Sequence, residues 1–344
     1  MTEPARIDVP TADGAGGDAA TAPLRVDVAI TMINFRTAEM TIECAKSVLE
    51  HAGEVSFRLM LVDNNSADGS ADRIAAWIAG LPEGSPVELV RSDVNTGFAG
   101  GHNLGIAACP GTPFVLLLNS DAVIRPGALT AMLAAMEADP KIGIIGPALL
   151  NRDQAVEISA FRFHSPWSEL NRAANSGPIS RLLRRRVVAI PTPPDPAEIE
   201  WISFACALIR REIVEAHGGL DEGYFMYFED ADLCAKAKAD GWRIAYLPEA
   251  EIVHFRGGSA PVKSLAKARK RLPRYYYASR ARLLYRLGGH AGLIGANLLW
   301  HIGRAICWTR ALTGRPVNRA VQAEWRDIWT NALHPLGPRH GPDD

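Results

Sequence analysis

What this sequence lacks narrows it first. Cysteine is sparse: Cys44, Cys109, Cys206, Cys234 and Cys307 are the five in 344 residues. They are scattered, odd in number and never spaced CxxC. That argues against a disulfide framework or a zinc site and leaves buried free thiols as the expectation. Long apolar runs are missing as well, since no stretch reaches the ~18 uninterrupted apolar residues of a membrane-spanning helix. The N-terminus has no basic segment followed by an apolar one, so no signal peptide is expected. Nor does charge of one sign dominate: 37 Lys and Arg stand against 38 Asp and Glu, net −1. The whole-chain balance therefore points to no nucleic-acid partner. One segment departs from it, because 256–286 carries many Lys and Arg and no Asp or Glu.

What is present suits a large folded core: 48% of the residues are hydrophobic. Residues 1–23, rich in Ala, Gly, Asp and Pro, read as a disordered tail. Beyond them, strand-like runs at 26–33, 57–62, 87–90, 114–118 and 142–145 alternate with helical spacing at 39–50, 73–79 and 127–138. The alternation predicts an α/β fold, a mostly parallel central sheet with helices on both faces. In such sheets the ligand crevice lies beyond the carboxyl ends of the strands. Three polar clusters fall at those ends: Asn34, 63–66 and 119–121. One alone would be plain turn chemistry; their convergence signals a site. Residues 151–196 read as an irregular loop, either a lid or a solvated insertion. A strand at 201–210, a helix at 229–240 ended by Gly241 and short strands at 243–247 and 252–253 follow.

The clusters carry the chemistry. Leu116-Leu117-Leu118 runs into Asn119-Ser120-Asp121 and so delivers a carboxylate to the sheet edge. One or two carboxylates plus phosphate oxygens suffice to hold Mg²⁺ or Mn²⁺, which would neutralise a departing diphosphate. Asp63, in Asp63-Asn64-Asn65-Ser66, can accept a hydrogen bond from a base N–H or a ribose hydroxyl. Residues 95–103 are glycine-rich, and glycine lets backbone approach a ligand closely. They have neither GxGxxG spacing nor the Lys-Ser/Thr of a P-loop. The densest stretch is Phe225-Met226-Tyr227-Phe228-Glu229-Asp230-Ala231-Asp232, where aromatics and Met precede three carboxylates at a helix start. The helix dipole alone favours acids there. The functional alternative is a general base beside an apolar wall, its pKa raised by partial desolvation. His254 offers an imidazole to an Mn²⁺-like metal.

Five blocks in this order resemble the inverting family-2 glycosyltransferases of the GT-A fold: 29–34, 61–70, 95–105, 116–121 and 218–233, with His254 downstream. The aromatic-Met-aromatic run into Glu-Asp-x-Asp-Leu is similar to the bacterial rhamnosyltransferase-like subgroup. The resemblance implies a GT-A catalytic domain over 24–260, with a nucleotide-sugar donor half (24–125) and an acceptor half (126–260). It implies donor binding by Thr31, Asn34, Asp63, Asn65, Asn95, Gly97, Asn103, Asn119 and Asp121. Asp121 and His254 would hold a divalent cation, Mg²⁺ or Mn²⁺. Asp230 would be the general base with Glu229 beside it, and Trp201 and Asp232 would stand on the acceptor side. The implied reaction is one in-line displacement with inversion, from dTDP-rhamnose or, alternatively, UDP-galactofuranose or UDP-GlcNAc. The acceptor would be a hydroxyl of a glycan or lipid-linked glycan in cell-wall or polysaccharide synthesis. Two positions depart from the pattern: Ile33 stands where the family often has Tyr, and Phe204 where it usually has Gly. A sugar nucleotidyltransferase would want a Gly-rich loop with a basic residue directly after the first strand, and Asn34-Phe35-Arg36-Thr37 fits that poorly. An inactive membrane-bound binding module would not need the full carboxylate set.

After residue 260 the pattern is helical. The basic, tyrosine-containing stretch 263–286 and the interrupted apolar stretch 287–312 read as a helical extension over 261–330. It would either lie in the plane of a membrane or cap the catalytic domain. The sequence reading is thus a cytoplasmic protein, peripheral on the inner face of the cell membrane through 263–312. Residues 331–344 read as a flexible tail.

Overall fold

The computed structural model describes residues 26–255, 262–309 and 319–342. The tail expected at 1–23 lies outside the described residues. The chain opens with β1 (Val28–Asn34), α1 (Ala38–His51), β2 (Phe57–Asp63), α2 (Ser70–Ala79), β3 (Val87–Arg91), α3 (Gly97–Ala108) and β4 (Phe114–Asn119). Next come β5 (Ala122–Ile124), α4 (Ala128–Ala138), β6 (Ile142–Leu150), β7 (Val156–Glu157), β8 (Ala160–Phe161), α5 (Pro166–Ala174) and α6 (Gly177–Leu182). The remainder is β9 (Trp201–Ile202), β10 (Cys206–Arg210), α7 (Arg211–Ala216), α8 (Glu229–Ala239), β11 (Arg243–His254), α9 (Val262–Lys267), α10 (Arg274–Thr309) and α11 (Glu324–Asp327).

Among the described residues, nine strands make one sheet in the order β3-β2-β1-β4-β10-β6-β11-β5, with β7 paired to β6. The first four are mutually parallel. β10 runs antiparallel to both β4 and β6, and β5 antiparallel to β11. The sheet is mixed, which corrects the mostly parallel expectation. A parallel pair needs a crossover connection, usually a helix. β10 instead re-enters between β4 and β6 from the long 151–205 excursion, so no crossover imposes its direction.

Alternation along the strands divides the core. Ile30, Met32, Leu116 and Leu118 pack with α1 and α4 on one face, and Val115, Leu117, Ala207 and Ile209 with α8 on the other. The glycine-rich segment, expected as a loop, forms α3 from Gly97 onward. Glycine lowers helix propensity, but here it permits close packing on the sheet: a Cβ at Gly101 would lie 2.8 Å from Ile33, and one at Gly105 3.0 Å from Thr31.

Two further expectations change. The strand expected at 201–210 is two strands, broken at Ser203–Ala205, where β9 leaves to pair with β8. The irregular region contains α5, which starts at a Ser165/Ser168 capping box with Pro166 at its first turn. α5 in turn packs along α10.

α10 is two helices joined at Gly288-Gly289. Leu293, Ala296, Trp300 and Cys307 are buried on its second part, and Gly303 abuts the Leu170 carbonyl of α5. That part therefore caps the catalytic domain by one face. Nor do the basic side chains of its first part form an unpaired lipid-facing strip. Arg280 pairs with Glu169 (3.0 Å) and Arg282 and Arg286 with Asp221 (3.0 and 3.1 Å), while Arg271, just before α10, pairs with Asp327 (2.6 Å). The acids come from distant parts of the chain, so the local sequence looked uniformly basic. Among the described residues no helix is long and apolar enough to cross a membrane. Residues 331–342, read from sequence as a tail, lie back on the domain: Arg339 donates to the Thr96 carbonyl (2.9 Å) and Arg282 to the Gly337 carbonyl (3.4 Å).

Candidate active site

The carboxyl ends of β1, β2 and β4 open into a cavity of about 290 Å³. Its apolar walls include Ile33, Phe35, Phe98, Leu118, Phe225 and Met226, and its polar groups include Asn64, Asn95, His102, Asn119 and Asp121. Pro342 of the folded-back tail also lines it.

The floor on the β1–β2 side is a closed hydrogen-bond network. Asn34, fully buried, donates to Asp63 Oδ1 (2.7 Å) and to Ser66 Oγ (3.0 Å), and accepts from Thr41 Oγ1 (3.0 Å). Ser66 Oγ also donates to Asp63 Oδ1 (2.6 Å). Asn34 and Asp63 thus hold the β1 and β2 ends together, and neither lines the cavity. Asn65 is exposed, with φ at +57°. Its neighbour Asn64, which sequence reasoning did not single out, is the inward residue. It donates to Asn95 Oδ1 (3.2 Å) and the Gly97 carbonyl (2.9 Å), and accepts from the Thr96 N–H (2.9 Å). No local signal distinguishes the two asparagines; the left-handed turn at Asn65 decides which faces in.

Thr31 is fully buried and bonded to His102 Nδ1 at 2.6 Å. His102, not Thr31, reaches the cavity, and burial lowers its pKa to about 3, so the ring is neutral. The closest backbone approach involves protein: a Cβ at Gly97, φ +74°, would lie 2.1 Å from the Phe225 carbonyl oxygen, which accepts from the Phe98 N–H (2.7 Å). Asn103 ties α3 to the 218–222 turn through the backbone N–H and carbonyl of Leu220 (both 2.9 Å) and lies outside the cavity lining.

Asp121 and His254 do meet. β11 pairs with β5 so that His254 stands opposite Ala122, which puts His254 Nε2 3.1 Å from Asp121 Oδ1. The Asn119 amide nitrogen lies 3.4 Å from the same imidazole nitrogen. Among the described residues no group of three His, Cys, Asp or Glu could hold a metal. Asp121 and His254 would still suit a divalent cation: a hard carboxylate that lines the cavity meets an imidazole at 3.1 Å.

Asp230 stands in the first turn of α8 and does not itself line the cavity. The Phe204 backbone N–H bonds its carboxylate, and the next residue, Ala205, accepts from the Asn119 N–H (2.9 Å). One short turn thus connects Asp230 to Asn119 at the end of β4. Burial pushes Asp230 up to about 7, against the Ala231 and Phe204 amides that favour its charged form. Glu229 is more deeply buried, and among the described residues its Oε2 has no partner. Burial first, and then the charge on Asp230, pushes it well above the carboxylate range. Asp232 instead accepts from Tyr224 Oη (3.1 Å) and pairs with Lys236 (2.7 Å). The turn into α8 is strained: Tyr227 and Phe228 both have φ of +72°, a region that costs bulky residues roughly 1–3 kcal/mol. Tyr276 packs on both rings, and His164 on Phe228. Trp201 lies beyond, stacked on Phe161 with its indole N–H on the Arg162 carbonyl (2.9 Å); it does not line the cavity.

Residues 28–218 match the model of "Glycosyl transferase family 2". The chain belongs to that family. It is a glycosyltransferase, similar to rhamnosyltransferases. The N-acetylglucosaminyl-diphospho-decaprenol L-rhamnosyltransferase of Mycobacterium tuberculosis is 29% identical over 252 residues, 64% of this chain and 75% of that one. The low-salt glycan biosynthesis hexosyltransferase Agl10 of Haloferax volcanii is 23% identical over 231 residues, 66% of this chain and 67% of its own. Among solved structures, the mannosyltransferase PcManGT of Pyrobaculum calidifontis, with GDP-Man and Mn²⁺, superposes at a TM-score of 0.51 and 16% identity. That match covers 91% of this chain and 86% of that one. TarS of S. aureus, with UDP, superposes at 0.54 and 13% identity, covering 90% and 80%. These two likenesses show that the glycosyltransferase has a GT-A-like fold.

Proposed function

We propose that this glycosyltransferase inverts configuration at the anomeric carbon. It would move L-rhamnose from dTDP-rhamnose to a hydroxyl of a lipid-linked glycan in cell-wall or polysaccharide synthesis. The observation that carries the reading is the placement of Asp230. A half-buried carboxyl, raised to about 7, takes a hydrogen bond from the Phe204 N–H, and the next residue, Ala205, accepts from Asn119, two residues before Asp121.

In this scheme the nucleoside occupies the cavity between Phe35, Phe98 and Asn64, with the neutral His102 beside it. Asp121 and His254 would hold a divalent cation, which when bound neutralises charge on the departing diphosphate. Asp230 takes the proton of the acceptor hydroxyl as its oxygen bonds the anomeric carbon and the bond to the diphosphate breaks, so configuration inverts. Glu229, whose proton affinity burial and the neighbouring Asp230 charge raise well above the carboxylate range, stands beside it.

Contact with the inner face of the cytoplasmic membrane belongs to the same reading. Ile294, Leu298 and Ile302, four residues apart on one face of α10, are exposed, as are Trp308, Trp325 and Trp329. UDP-galactofuranose and UDP-GlcNAc are the alternative donors.

A donor panel tests the proposal. With Mn²⁺ or Mg²⁺, dTDP-rhamnose should give nucleoside diphosphate and a product of inverted anomeric configuration, and chelation should stop it. Release of pyrophosphate, or retention of configuration, would refute the scheme.

A further inference from the structure

A second cavity, also about 290 Å³, is lined by residues that the scheme above does not use. Its walls come from α5, the turn between α9 and α10, α10 itself and the segment before α11. Four arginines line it, Arg172, Arg269, Arg304 and Arg319, against one carboxylate, Glu324. Arg172 and Glu324 pair at 2.7 Å, and Arg172 also meets the buried Glu169 at 2.7 Å. No second carboxylate stands in the lining among the described residues, so the cavity carries an excess of positive charge. A concave wall of one sign concentrates counter-ions, and guanidinium forks match phosphate oxygens. Trp300 and Leu272, both buried, supply an apolar floor.

Position connects this cavity to the reaction. Tyr276 lines it, and the same ring packs on Tyr227 and Phe228 at 5.8 and 5.4 Å between centroids. Those two residues lead directly into Glu229 and Asp230. One aromatic side chain therefore separates the arginine cavity from the segment that carries the base.

We propose that this cavity seats the phosphate or diphosphate group of the acceptor, so that the adjoining sugar hydroxyl is presented toward Asp230. The proposal rests on the transferase reading above and adds the anion that the acceptor must carry. A phospholipid headgroup offers the same chemistry, and the test separates the two sources.

Arg269 and Arg319 are exposed, so Arg269→Gln and Arg319→Gln should fold normally. Each full-length variant is assayed with one acceptor sugar in two forms, a lipid-diphosphate glycoside and a plain alkyl glycoside. The KM for the diphosphate form should rise roughly 10–100-fold, while the alkyl glycoside KM, the donor KM and kcat stay at wild-type values. Equal rises for both acceptors, or none for either, would overturn the proposal. Sedimentation with phosphatidylglycerol vesicles separates the sources. Vesicle binding lost in the variants with acceptor KM unchanged assigns the cavity to lipid headgroups and overturns the acceptor assignment. Calorimetry with inorganic pyrophosphate, the donor cleft blocked by saturating nucleoside diphosphate, reads the cavity without turnover. Wild type should bind and the variants should not. Absence of wild-type binding would sink the cavity even if the transferase scheme holds, and binding would stand even if the donor assignment fails.

Discussion

At the ends of β1 and β2, polar side chains bond one another. Asn34, Asp63 and Ser66 close one network, and Asn64, Asn95 and Thr96 another. At the start of α8 the arrangement is the reverse. Glu229 Oε2 is buried without a partner among the described residues, burial raises the Asp230 pKa to about 7, and two aromatic residues sit in left-handed backbone. The first region is pre-organised to hold a cavity open. The second keeps carboxyl groups poorly solvated, which raises proton affinity at a cost in stability. A pocket for recognition can be fully satisfied internally, whereas a base that must take a proton near neutral pH cannot.

The largest effect expected from this contrast is on turnover. Asp230→Asn should lower kcat roughly 10²–10⁴-fold with little change in thermal stability or donor KM. In wild type, kcat/KM should fall as the pH drops through about 7, because protonation removes the base. Retention of a tenth of wild-type kcat by the variant would remove Asp230 from the role. A middle-sized effect belongs to the ends of β1 and β2. Asn34→Ala leaves Asp63, Ser66 and Thr41 short of a partner, and should cost about 1–3 kcal/mol in urea unfolding. Stability equal to wild type would show that the network does not organise the strand ends.

The smallest effect sharpens the contrast by sign. Glu229 has its folded pKa raised above the ordinary carboxylate value, so the stability from its protonated form is full below that value. It is lost as pH rises through the folded pKa. Glu229→Gln cannot titrate. It should match wild type at pH 4 and exceed it at pH 8, read as a higher melting temperature. A variant less stable than wild type at pH 8 would mean that the buried carboxylate is stabilised by groups other than those around it here.

Much of this was legible in the chain alone. The strands β1 to β4, the polar clusters at their ends, and the meeting of Asp121 with His254 all follow from apolar runs terminated by polar residues in a fixed order. α3 was not legible, because its glycines look like a loop until the sheet they pack against is present. Thr31 and Asn103 were placed at the donor, yet their side chains are occupied by His102 and Leu220. Asn64 and His102 line the cavity in their stead, a choice made by one left-handed residue and one buried hydrogen bond.

Periodicity and residue order by themselves determined the α/β class, the family and the carboxylates available for chemistry, since these depend on neighbours along the chain. Tertiary structure alone decided the antiparallel entry of β10, the inward asparagine and the raised proton affinity of Asp230. It also turned the basic stretch from Arg271 into α10 into ion pairs with Glu169, Asp221 and Asp327. Each of those depends on groups far apart in sequence, and burial, which sets their energies, exists only once the chain has closed around them.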